Sequence, residues 1–138
     1  MRQSSAIALF ILLSGAPVFA QVQLCNQTAQ TIDALEREII KTSNENPNKI
    51  QFWKSYKDKN DQTIWAFTTE GHPAHPAVAC NVVGSEHGKT NIKTYIVCSA
   101  DKNKCDQLSD SYRELHKKIA EYLGNPTVDS ETIYRRLN

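Results

Sequence analysis

Apolar residues in the 138-residue chain recur with two distinct periods, and each change of period marks a new element. Ile32, Leu35 and Ile39 fall one helical turn apart, with Ile40 widening the stripe, and predict a helix over 28–43. The polar cluster Ser43-Asn44-Glu45-Asn46 before Pro47 ends it. The segments 50–58 (IQFWKSYKD) and 63–70 (TIWAFTTE) are rich in β-branched and aromatic residues. They flank the turn-like Lys59-Asn60-Asp61 and predict a hairpin. A loop punctuated by glycine and proline leads into 77–83 (AVACNVV), and a turn at 84–88 leads into 91–98 (NIKTYIVC), the third and fourth strands. Over 109–123, Tyr112, Leu115, Ile119, Tyr122 and Leu123 share one helical face. Ser111 and Glu114 fit a capping box there, and Gly124 and Pro126 fit a stop. Ile133 and Leu137, one turn apart, predict a short last helix from Asp129 or Ser130. The expected fold is α+β: a four-stranded antiparallel meander with an N-terminal helix and C-terminal helices packed on one face.

The first twenty residues follow a different rule. Arg2 is followed by an apolar run from Ala6 to Leu13, then Gly15 and Pro17. Val18 and Ala20 are small enough for the minus-three and minus-one positions of a signal-peptidase site. The pattern predicts a signal peptide at 1–20, cleaved before Gln21, and one domain over 21–138. The run is too short for a permanent membrane span, and no second such run follows. Leu24, directly before Cys25, occupies a place where a lipoprotein signal needs a small residue. The expected address is periplasmic or secreted.

Charge and cysteine usage sharpen that picture. There are 16 Lys and Arg against 15 Asp and Glu, and Arg2 is the only charge in the leader, so the mature chain is close to neutral. Binding of nucleic acid or anionic lipid through bulk charge is therefore not expected. The four cysteines, Cys25, Cys80, Cys98 and Cys105, all lie in the mature part, an even number that suits two disulfides in an oxidising compartment. None is spaced C-x-x-C. Cys98 and Cys105 flank a short polar stretch between a strand and a helix and are expected to pair, which leaves Cys25 with Cys80. The alternative pair Cys80–Cys98 is out of register, because a hairpin centred near His87 sets Cys80 opposite residue 94 or 95.

Candidate chemistry concentrates in one loop. Glu70, His72 and His75 lie within six residues, in Glu-Gly-His-Pro-Ala-His-Pro. Each histidine precedes a proline, which favours extended backbone and partly positions the ring. Neutral imidazole suits zinc or copper, so the loop is a candidate metal site as well as a candidate contact surface or a rigid connector. His87 falls at the other end of the meander and is not expected to join it. The aromatic residues Phe52, Trp53, Tyr56, Trp65, Phe67 and Tyr95 are expected mainly in the core. His116 is expected at the edge of the apolar face of its helix. No phosphate loop, nucleophile elbow or paired-carboxylate signature is present, and no cofactor is expected.

The segment 65–80 (WAFTTEGHPAHPAVAC) resembles stretches in small, signal-peptide-bearing bacterial proteins of unassigned role. It covers about a seventh of the mature chain. The resemblance implies a bacterial envelope origin and no particular activity. The reading that follows is an exported, non-enzymatic binding or interaction protein with a protein partner in the envelope: an inhibitor, an immunity-type protein or an accessory protein. The alternative is a periplasmic metal-binding protein that uses the His72/His75 loop.

Overall fold

The computed structural model describes residues 20–43, 46–60, 62–124 and 128–137. The expected signal segment, apart from Ala20, lies outside these residues, as does Pro126. A short hairpin of β1 (Val22–Leu24) and β2 (Gln27–Ala29) precedes α1 (Ile32–Thr42). An antiparallel meander follows: β3 (Asn48–Ile50), β4 (Trp53–Lys57), β5 (Thr63–Thr68), β6 (Ala77–Glu86) and β7 (Lys89–Cys98). The helix α2 (Lys102–Leu123) then carries the chain back, and β8 (Val128–Arg136) pairs with β7 in parallel. Strand order in the six-stranded sheet is β3-β4-β5-β6-β7-β8. The α+β class stands, and the expected four-stranded meander is replaced by five antiparallel strands with a sixth, parallel one.

Local chemistry explains each departure. Thr31 has extended backbone and accepts the Ala34 N–H on its hydroxyl, so α1 begins at Ile32, not at residue 28. The preceding residues are held instead by pairing with β1. Gln51 adopts φ +50°, which breaks the expected strand 50–58 into β3 and β4 at a tight turn. The helix α2 starts a full two turns before Ser111, whose hydroxyl donates to the Gln107 carbonyl from within the helix, so there is no capping box. The expected last helix is the strand β8. A 22-residue helix spans about 33 Å. That returns the chain along the ten residues of β7, where Thr132, Ile133 and Tyr134 suit a pleated ladder better than a helix.

The helices lie on opposite faces of the sheet, not on one. Strand alternation sends Tyr56, Trp65, Phe67, Val78, Cys80 and Val97 to the face covered by α1 and β1. Ala77, Ala79, Ile96 and Cys98 point the other way and pack with Cys105 and Leu108 of α2. Phe67 is fully enclosed in the first core, and truncating it to Ala should cost about 3–5 kcal/mol. Two disulfides fasten the layers. Cys25–Cys80 ties the turn of the first hairpin to β6, and Cys98–Cys105 ties the end of β7 to the first turn of α2. Cys80 stands opposite Tyr95, within the register expected from the turn at His87.

Candidate functional site

The loop between β5 and β6 is closed on itself by backbone bonds. His72 N–H donates to the Thr69 carbonyl, His75 N–H to the His72 carbonyl, and Thr69 N–H to the Phe52 carbonyl of the neighbouring turn. Gly71 sits at φ +94°, a conformation that side chains disfavour, and a Cβ there would lie 2.9 Å from the Phe52 ring. Thr68 anchors the far end: its hydroxyl accepts the Ala77 N–H at 2.8 Å and donates to the Ala77 carbonyl at 3.1 Å.

The two imidazoles do different work. His75 Nδ1 lies 3.1 Å from the Thr68 carbonyl, which can only accept, so Nδ1 carries the proton and Nε2 keeps its lone pair. His72 Nδ1 accepts the Ala74 N–H at 3.0 Å, which leaves its proton on Nε2. Burial lowers the His72 pKa from its ordinary value, with the nearby His75 adding to the effect, so the ring is neutral at pH 7. Glu70 is exposed at the loop tip. Among the described residues no three His, Cys, Asp or Glu side chains gather as a metal-binding group, and His87 lies in the turn at the far end of β6 and β7.

The loop instead forms one end of an apolar groove. His72 packs edge-on against Trp53 with ring centres 4.8 Å apart, and Trp53 meets Tyr112 of α2 edge-on at 6.1 Å. Between the β3–β4 edge of the sheet and α2 lies an open groove of about 560 Å³. Trp53 and Ala66 line it from the sheet, His72, Pro73 and Ala74 from the loop, and Leu108, Ser111, Tyr112 and Leu115 from the helix. Ile50 and Leu115 stand at its rim, 62% and 48% exposed. Among the described residues, its one formal charge is Lys104 and no carboxylate lines it.

A buried polar chain holds the helix that forms the groove wall. His116 is 4% exposed, facing the sheet. Its Nε2 lies 2.9 Å from the Thr94 hydroxyl, which donates onward to Asn81 Oδ1 at 2.7 Å. Thr94 therefore accepts from His116, and His116 Nδ1 is left to accept from the Thr132 hydroxyl at 3.3 Å. Asn81 Nδ2 donates to the Ile64 carbonyl, and the Asn81 side chain also bonds Tyr112, whose hydroxyl is pushed up to about 12 by burial. Burial lowers the His116 pKa as well. This network turns α2 from the face expected from sequence: His116 is inside, while Leu115, Tyr122 and Leu123 are exposed.

Of the residues singled out in the sequence, His72 joins the groove, His75 braces the loop and Glu70 stands apart. Trp53, Leu108, Tyr112 and Leu115 complete the site. Their only sequence signal was aromatic and leucine content on elements whose facing could not be read locally. Compared with known proteins, the chain matches no family model, no curated protein and no solved structure.

Proposed function

We propose that the protein is an exported, non-enzymatic binding protein of the bacterial envelope, whose recognition surface is the groove between the β3–β4 edge and α2. The observation that carries this reading is the exposure of Ile50 and Leu115 at the rim of an aromatic-floored groove. Contiguous apolar surface of this kind marks interaction sites. The occupant is an apolar segment of a partner protein bearing an acidic group, since Lys104 is the sole charge among the described lining residues and His72 presents a neutral Nε2–H donor. Export is supported by the leader pattern, the two disulfides and the position of Val22. That residue is fully buried and lies one position after Gln21, the first residue of the expected cleavage product.

The test is affinity purification from envelope extract with the wild-type protein and with Leu115→Asp. A partner retained by the wild type and lost with the variant supports the reading. Equal recovery with both, or recovery of none, contradicts it.

A further inference from the structure

The two edges of the sheet differ sharply. The β3 edge is three residues long and follows Pro47, a short edge that offers little to an incoming strand. The β8 edge is nine residues long, without proline or glycine, and among the described residues no strand pairs with its outer side. Leu137 N–H bonds inward to the Cys98 carbonyl, so strand alternation turns the backbone groups of Thr132 and Tyr134 outward.

The side chains of β8 are complementary to their own reversed copy. Glu131 lies in the first half of the strand and Arg135 in the second, both exposed, with Ile133 midway and 43% exposed. The β7 register sets Ile133 opposite Tyr95 and Arg135 opposite Val97, so all three residues lie on the α1 face. Two copies of β8 placed antiparallel about a twofold axis at Ile133 would set Glu131 against Arg135 twice and Ile133 against itself. On the other face Thr132 would meet Tyr134, a β-branched and aromatic pair that favours sheet pairing. Arg135 donates to the Gln21 carbonyl through one nitrogen, leaving further guanidinium donors for a carboxylate. The same charges repel a copy arriving in parallel, where like meets like.

We propose that the protein forms a twofold dimer with a second copy of this chain by antiparallel pairing of β8 with β8, making one continuous twelve-stranded sheet. The arrangement is isologous and consumes the exposed edge in both copies. It leaves the groove at the β3–β4 end open in each, so this inference is independent of what the groove binds.

Sedimentation analysis of the wild type, Glu131→Arg, Arg135→Glu and an equal mixture of the two variants tests it. The expected result is a dimeric wild type, two monomeric variants and a dimer restored in the mixture, where every facing pair is again opposite in charge. A second variant, Ile133→Cys, changes only an exposed side chain on the axis. It should form a disulfide-linked dimer under mild oxidation, whereas Val83→Cys, exposed in β6, should not. A monomeric wild type at about 100 µM, a dimer indifferent to both charge reversals, or no linkage through residue 133 would overturn the proposal.

Discussion

His116 Nε2 lies 2.9 Å from the Thr94 hydroxyl, and this bond joins the middle of α2 to the middle of β7. Both ring nitrogens are occupied, one donating to Thr94 and one accepting from Thr132, so the native structure is built around the neutral ring. The groove wall depends on it, because Tyr112 and Leu115 are carried by the same helix turn.

Stability should consequently fall on mild acidification. The folded-state pKa of His116 is lowered by burial, so below the ordinary value of 6.5 the unfolded chain takes up a proton that the folded chain refuses. The contribution is fully present above pH 6.5 and is lost as pH falls through the folded pKa. His72, also lowered, acts in the same direction. Urea unfolding between pH 7.5 and 5 should show a declining midpoint, and His116→Gln should flatten that decline.

Thr94→Val removes the hydroxyl between His116 and Asn81 while keeping the shape of the side chain. It leaves a buried imidazole N–H and a partly buried amide oxygen each short of a partner, at a cost of about 1–3 kcal/mol. Denaturant titration measures the loss. A change under about 0.5 kcal/mol would show that the network contributes little.

Gly71→Ala should destabilise by about 1–3 kcal/mol, because φ +94° strains any side chain. The Phe52 ring, half exposed, can move aside, so Phe52→Ala in the same background should recover only a minor part. Thermal melts of Gly71→Ala, Phe52→Ala and the double variant separate the two causes.

Zinc and copper should bind the histidine loop weakly and without fixed stoichiometry. His72 Nδ1 accepts the Ala74 N–H and its proton sits on Nε2, so within the loop as folded only His75 Nε2 offers a lone pair to an ion. Calorimetry of the wild type and of His72→Ala/His75→Ala checks this. A one-to-one isotherm of micromolar affinity, lost in the double variant, would favour the metal-binding alternative.

Much of the central sheet was legible because 63–70, 77–83 and 91–98 carry the short-range marks of strands, and the turn at His87 fixed the register that separates Cys80 from Cys98. The disulfide pairs were legible from the short polar stretch between Cys98 and Cys105, which leaves Cys25 with Cys80, and the register argued against Cys80–Cys98. The facing of the helices did not follow, since Val78 and Ala79 are alternating apolar residues whichever face receives α1. The strand identity of β8 is not legible locally, because Ile133 and Leu137 also fit one helical turn and the strand depends on pairing with β7, distant in sequence. The burial of His116 is not legible either, because the partners that make it tolerable, Thr94 and Thr132, lie on other elements. For the same reason His72 was visible as chemistry, while the groove it closes was not.

The most direct measurement is site-specific photocrosslinking in cells of the source organism, with benzoylphenylalanine at position 115 in the groove rim or at position 117, which is exposed and turned away from Leu115 on the same helix. The expected result is one discrete crosslinked protein from position 115, absent from position 117 and suppressed by Trp53→Ala in the same chain. The same products from both positions, or none from position 115, would contradict the assignment of the groove as the recognition surface.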